Sequence, residues 1–576
     1  MLKDCLEVFN KMLESQGDKL ILDSYIPADG TYILVDLKTS KIISQDIKYD
    51  KNNKTIDKSS ISYFQDICKF DYYSVLLEMN KPIDPSKKIM SNNYMTFFVK
   101  EDNVKPEILK ENIIDNYYDI LLEPQKKYEK KAKSREIYTE VEKELGKVNK
   151  EELKKCREWV KNNIFNLEIN TNRKGYLKIF FKYPIEDYIR ESSRYFIPNI
   201  YNKNDFNIKI GNKTYGMPNN NNGLNSKKPF LENKSRKNII SYLIDNNEVM
   251  VQKKLFDYFA NLVNQSKFNV YISDEEIQGY RTAMFPNRDF SGIYCRMRKD
   301  KNEVAIIACD YIVNYKNKLK KKFVFNNVLN CSEEPIDYKM SYGIYTKLSS
   351  IEMLINEILF SKFLSNNYFT EPDKLSINNG HLKNSLLKSR EILGNWFYKG
   401  NSSGVEVMLN KITIDIIKSN ISDGYISKAK RQYNLRCSIK QYFGGDNNMA
   451  DILNSIKSNL RDKINSSKTT QIINDDEYYF AVGQLVYYFI SKNKSKKRVH
   501  SLANPFLNAK NDKVIKEKLR ALYKKYNYDI DSIGKRFNNL YAMILSYEPK
   551  GKINQDIIIA GYLHNNLIYE SDKREE

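Results

Sequence analysis

Histidine is scarce in this 576-residue sequence: His381, His500 and His564 are all there is. They stand far apart, in or beside stretches that read as loops. A histidine metal cluster is therefore unsupported, and each reads as a surface or capping residue. Cysteine is odd in number and scattered, at Cys5, Cys68, Cys156, Cys295, Cys309, Cys331 and Cys437, and no Cys-x-x-Cys occurs. That spacing speaks against a zinc ribbon. No apolar run approaches the ~20 residues of a membrane span. The opening Met1 to Phe9 carries charges inside its apolar run, unlike a signal peptide. A reducing cytoplasm fits these features. Also missing are a phosphate-cradling G-x-x-x-x-G-K-[ST], a G-x-S-x-G elbow, an H-E-x-x-H helix and an EF-hand loop. One enzymatic reading is left, a metal-dependent nuclease built on carboxylates and a lysine, with Asp289 and Asp337-Tyr338-Lys339 as its residues. Acid-x-Lys triplets recur by chance in so charged a chain. The expectation is a binding and scaffolding protein, not an enzyme, with no cofactor and no metal.

What the chain has is positive charge. The formal net charge is +22 and the pI about 9.2. Summed positive potential attracts phosphates over long range, which points to a polyanionic partner. Lys, Asn, Ile and Tyr are abundant together, as AT-rich codons also produce. Apolar content of 41% with 29% charged residues suits a globular fold. The length implies two to four domains at the usual 100–200 residues each.

One stretch stands out. From Tyr215 to Lys237 there is no apolar period, and Gly216, Pro218, Gly223 and Pro229 punctuate it. It reads as a surface loop. Asn219, Asn220, Asn221, Asn222 and Asn225 carry amides that donate and accept together, as reading a base edge requires. Gly223 permits close backbone approach. Lys227, Lys228, Lys234 and Arg236 follow, suited to holding phosphates. A solvated loop in an Asn- and Lys-rich chain is the plain alternative.

In chain order, residues 1 to about 102 mix one amphipathic helix with strands at Tyr32–Leu37 and Tyr94–Val99. A helical region runs from Pro106 to about Phe165; its basic stretch, Gln125 to Arg135, is followed by charges of alternating sign, the mark of a solvated face. Residues 174–330 look β-rich, with a helix from Lys237 to Gln265. Lys316, Lys318, Lys320, Lys321 and Lys322 fall between two strand candidates and read as a basic hairpin tip. Such a tip clamps a phosphate backbone, or keeps an exposed edge from aggregating. From about Tyr345 the pattern turns to period 3.6. Asn474 reads as an N-cap, with Glu477 completing a capping box. Tyr478 to Ile490 is apolar nearly all round and reads as the central helix of a bundle. Lys496, Lys497, Arg498 and His500 follow it, and Lys524, Lys525, Lys535 and Arg536 bracket a later turn. From Met449 onward 22 basic and 15 acidic residues give 22 − 15 = +7. The fold class expected is α+β: a mixed α/β N-terminal part with a β-rich middle, then an all-helical bundle. The divisions are drawn at 1–340, 341–448 and 449–576.

Several segments resemble the large subunit of type I-B CRISPR effector (Cascade) complexes. They are Gly223 to Arg236, Phe480 to Tyr488, Asn504-Pro-Phe-Leu507, Arg536 to Leu540 and Ile558 to Tyr562, with Met1 to Asp36 of similar texture. The likeness spans most of the chain but is one of pattern. Some such subunits hold a cysteine zinc cluster, which this chain lacks, so no metal carries over. The resemblance implies a non-catalytic protein at the foot of a crRNA-guided complex. It would check the PAM on target double-stranded DNA, start strand separation and recruit a helicase–nuclease. Its partners would be crRNA, the target DNA and the backbone, handle-binding and small subunits, with no membrane. Asn219 to Asn222, Gly223 and Asn225 would meet the bases; Lys227, Lys228, Lys234 and Arg236 the phosphates. The bundle resembles a Cascade small subunit, which an internal start at Met449 would produce separately. Codons for Phe443-Gly-Gly-Asp446 can contain a ribosome-binding sequence, with Asn447 and Asn448 as spacer. Met408 is a competing start, and the plain alternative is a loop followed by an ordinary methionine.

Overall fold

The computed structural model describes residues 2–48, 61–74, 83–172, 175–201, 203–218, 243–282, 284, 286, 289–300, 303–330, 340–445, 449–494, 499–530 and 534–570. The chain is α+β and divides into two compact units. The first comprises Met1–Arg281 and Gly292–Tyr311; the second comprises Thr282–Ser291 and Ile312–Glu576.

The first unit is built on a sheet of β1 (Gly30–Asp36), β2 (Lys41–Ile47), β3 (Thr96–Lys100) and β4 (Tyr176–Phe181), ordered β2-β1-β4-β3. β1 and β4 run parallel in its centre, and the outer pairs are antiparallel. Thr-Tyr-Ile-Leu-Val in β1 and Leu-Lys-Ile-Phe-Phe in β4 are buried on both faces, as central strands are. Gly30 permits the close pairing, since a Cβ there would sit 2.1 Å from the Tyr176 carbonyl oxygen. β4 also buries a charge. Lys178 Nζ lies 2.5 Å from Asp71 Oδ1, and Tyr25 donates to the other carboxylate oxygen at 3.0 Å. Burial pushes the Lys178 ammonium down, against the pull of Asp71.

Two further sheets follow. One joins β5 (Ile208–Ile210), β6 (Lys213–Gly216) and β7 (Ile244–Asp245). The other joins β8 (Asn269–Ile272), β9 (Ile277–Tyr280), β10 (Phe290–Asp300) and β11 (Glu303–Tyr315), in the order β11-β10-β8-β9. The start of β10 and the end of β11 are counted in the other unit. The helix predicted from Lys237 begins instead at Asn246. Asp245 caps it, accepting from Glu248 N at 2.9 Å while the Glu248 side chain returns to Asp245 N.

In the second unit β12 (Lys318–Phe325) pairs antiparallel with β13 (Gly343–Lys347). Helices follow, including Leu348–Ile358, Gly380–Lys399, Val405–Ser422, Ile426–Gly444, Met449–Asn465, Asp475–Ser491, Asp512–Tyr526, Lys535–Ser546 and Gln555–Leu563. The Asp475–Ser491 helix is buried almost all round. It crosses the Gln555–Leu563 helix at two glycines. A Cβ on Gly483 would lie 2.3 Å from the Ile558 oxygen, and one on Gly561 would lie 2.2 Å from the Phe480 oxygen. Gln484 locks the crossing by donating to the Gly561 carbonyl at 2.5 Å and accepting from Leu567 N at 2.8 Å. One apolar core takes in Ile417, Ile421, Tyr433 and Cys437 together with residues from Leu453 to Leu567, so it spans both sides of 448.

Asn474 caps its helix as predicted, accepting from Glu477 N at 2.8 Å. The capping box does not close. The buried Glu477 carboxylate is held by Lys463 Nζ at 2.7 and 2.8 Å and by Ile473 N at 2.9 Å instead. His500 and His564 are buried, not surface residues: His500 Nδ1 lies 2.7 Å from the Tyr562 hydroxyl, and burial lowers the His564 imidazole to about 4. Among the described residues no helix is long and apolar enough to cross a membrane.

Candidate nucleic-acid interface

The Asn-rich stretch, with Asn219, Asn220, Asn221, Asn222, Gly223, Asn225, Lys227, Lys228, Lys234 and Arg236, lies outside the described residues. Residues 215–218 before it and 243–245 after it are described. Pro218 bridges to Tyr201, and β6 pairs with β7 through Tyr215↔Asp245 and Gly216↔Ile244. The chain thus leaves and re-enters at neighbouring strand positions. Tyr201 rivets this base, its hydroxyl 2.9 Å from the Thr214 carbonyl oxygen and 3.0 Å from that of Ile244. Gly216 is required because a Cβ there would sit 2.5 Å from the Tyr201 ring. Lys213 Nζ braces Asp245 at 2.9 Å, so the base is tied to the helix that follows.

The lysine cluster is not a hairpin tip. Lys318, Lys320, Lys321 and Lys322 belong to β12 itself, and the strand pairs with β13, not with β11. A run of lysines has poor β propensity and no alternation, so sequence pattern gives a turn. Pairing with β13 and packing on the Ile426–Gly444 helix override it. Phe323 and Phe325 point inward, with the Phe323 ring 5.6 Å from Tyr442 and the Phe325 ring 4.5 Å from Tyr342. The register slips between Lys318 and Phe323. Lys321 Nζ lies 5.3 Å above the Tyr442 ring, and Lys316 Nζ pairs with Asp289 at 3.2 Å. Lys318, Lys320 and Lys322 are exposed and have no carboxylate partner among the described residues. Lys318 stands directly opposite Lys347 in register. Like charges facing across a strand pair are destabilising. The irregularity in register leaves Lys320, Lys321 and Lys322 exposed in succession, so with Lys318 they form a cationic patch that suits phosphates.

In the helical bundle the predicted basic residues separate. Lys496, Lys497 and Arg498 lie outside the described residues. Lys524 is exposed without a partner among the described residues, and Lys525 Nζ lies 5.4 Å from the Tyr526 ring. Lys535 Nζ donates to Ser467 Oγ at 3.0 Å. Arg536 is internally employed: Nε donates to Asn465 Oδ1 at 2.6 Å and a terminal nitrogen donates to the Glu570 carbonyl. It ties three segments together. Beside Lys524, Tyr523 joins a ring stack with Tyr541 at 5.1 Å and Phe537 at 6.2 Å. Tyr523 is itself exposed, and exposed aromatic rings are what bases stack on.

Met449 opens its helix, and residues 446–448 before it lie outside the described residues, as do Asp337, Tyr338 and Lys339. Asp289 is bound up with Lys316. Among the described residues no three His, Cys, Asp or Glu side chains are grouped to hold a metal ion. Reading the sequence missed Lys347, Tyr201 and Tyr523. Lys347 gains meaning only through strand register, and Tyr201 only through the β6–β7 pairing. No protein-family model, curated protein or solved structure matches this chain.

Proposed function

We propose that this chain is the non-catalytic large subunit of a type I-B CRISPR Cascade complex, acting in the cytoplasm. In this reading it grips target double-stranded DNA, reads the PAM, promotes unwinding and R-loop formation with crRNA, and recruits the helicase–nuclease. Its other partners are the backbone, handle-binding and small subunits of the complex. The C-terminal bundle is also made separately from Met449 as a small subunit. The observation that carries the nucleic-acid reading is the cluster Lys318, Lys320 and Lys322, exposed with no carboxylate partner among the described residues, with Lys318 opposite Lys347. A polyanion removes the repulsion that this arrangement builds in. The pattern resemblance of Gly223 to Arg236 and of the bundle helices supplies the particular complex.

The division of labour follows from the chemistry. Amides at Asn219 to Asn222 and Asn225, with Gly223, meet base edges; Lys227, Lys228, Lys234 and Arg236 hold phosphates beside them. The paired strands at the base of the stretch keep its ends together. The test is a gel-shift competition between PAM and non-PAM duplexes with the assembled complex. Asn222→Ala with Asn225→Ala abolishes discrimination if the stretch reads the PAM. Undiminished discrimination removes it from that role. Silent recoding of Gly444-Gly445 that leaves a short product at full level refutes the internal start.

A further inference from the structure

Three cysteines widely separated in the sequence meet in the N-terminal unit. Cys295 in β10 and Cys309 in β11 face each other with their sulfurs 3.2 Å apart. Cys5, on the Leu2–Gln16 helix, reaches the same Cys295 thiol. Cys5 and Cys295 are buried in the core, whereas Cys309 is partly open to solvent. The other described thiols, Cys68, Cys156 and Cys437, are all buried. A disulfide needs its sulfurs about 2.05 Å apart, so closing this pair takes a shift of about 1.2 Å. β10 and β11 are neighbouring strands, which hold the two residues at that range.

We propose that Cys295 and Cys309 form an oxidation site that a low-molecular-weight disulfide converts into a cross-strand disulfide. Contact with Cys309 and Cys5, then burial, pushes the Cys295 thiol up, so Cys295 stays protonated at rest. Reaction therefore begins at Cys309, the thiol with access to solvent. Cys309 gives its proton to water, and its sulfur attacks one sulfur of the external disulfide. The external S–S bond breaks, and the first external thiol leaves after taking up a proton. Cys295 then attacks Cys309 Sγ, and its proton passes to the departing external sulfur, which leaves as the second external thiol. Two protein thiols are oxidised and one external disulfide is reduced to two thiols. The product ties β10 to β11. Cys5 stays a thiol, since Cys295 is consumed by Cys309.

Oxidised glutathione added to the purified full-length chain tests this. The reaction is quenched in acid, remaining thiols are alkylated, and tryptic peptides are weighed. The expected product joins the Cys295 and Cys309 peptides, two hydrogens lighter than their sum. It forms faster in the folded chain than in urea. Cys309→Ser, at the partly open position, loses the cross-link completely. Cys295→Ser, checked for folding by circular dichroism, leaves Cys309 as a mixed disulfide with glutathione. Three results overturn the proposal: full alkylation of both thiols after oxidant, a Cys5–Cys295 cross-link in place of this one, or equal rates in the folded and unfolded chain.

Discussion

Basic residues in β12 and in the C-terminal bundle look alike in the sequence and do opposite things in the fold. In the bundle, Lys524 aside, the described cations named above and those against Glu477 and Asp556 are spent on structure. Arg536 joins Asn465 and the Glu570 carbonyl, Lys463 neutralises buried Glu477, and Arg436 grips Asp556 at 2.7 Å with Lys440 beside it at 2.8 Å. In β12, Lys318, Lys320 and Lys322 hold nothing among the described residues, and Lys318 faces another lysine. Net charge says how much cation a chain carries. Only the pairing says how much is left for a partner.

The largest expected effect is in the bundle. Asp556 is largely buried, and burial opposes its ionisation, yet Arg436 and Lys440 outweigh that and hold the carboxyl below its usual range. Asp556→Ala leaves Arg436 buried without its anion and costs about 3–5 kcal/mol in urea unfolding. The sign with pH follows. A carboxyl depressed in the folded state contributes stability above its unfolded value near 3.8, and that contribution is lost as pH falls through the lower folded value. Asp556→Asn should flatten the acid limb of the stability curve in that window.

Arg536→Ala comes next. It removes the tie to Asn465 and the Glu570 carbonyl, hydrogen bonds from a charged donor worth about 1.5–3 kcal/mol each. Thermal unfolding should drop by several degrees while the salt dependence of DNA binding stays put. A flattened salt dependence with unchanged stability would move Arg536 to the β12 side of the comparison. The smallest effect is Lys347→Ala. It relieves the repulsion opposite Lys318 and should stabilise the second unit by a few tenths of a kcal/mol at low salt, and by less at high salt. Destabilisation there would mean Lys347 has a structural role of its own.

Much of the framework can be read from local pattern because local pattern decides it. The Tyr-Ile-Leu-Val run of β1, the Asn474 cap and the all-round apolar helix after it each carry their cause within a few residues. The rest depends on distant pairing. Lys320 to Lys322 look like a turn because nothing nearby announces β13 twenty residues on. Glu477 completes a local box on paper, but Lys463 takes its carboxylate. Cys5 and Cys295 meet only once helix and strand pack. His500 and His564 look like surface residues until the helices close over them. The glycines of Phe480-Ala-Val-Gly-Gln and Ile558-Ile-Ala-Gly-Tyr were visible as pattern, and their reason appears in the crossing, where neither tolerates a Cβ.

The most direct test is the salt dependence of PAM-duplex binding by the complex assembled with Lys318→Ala, Lys320→Ala and Lys322→Ala together. If the three lysines each hold a phosphate, the slope of log affinity against log salt should fall by about 2.7 in magnitude, at ~0.9 per phosphate, with stability unchanged or raised by a few tenths of a kcal/mol. An unaltered slope would contradict the claim that this lysine cluster is held open for nucleic acid.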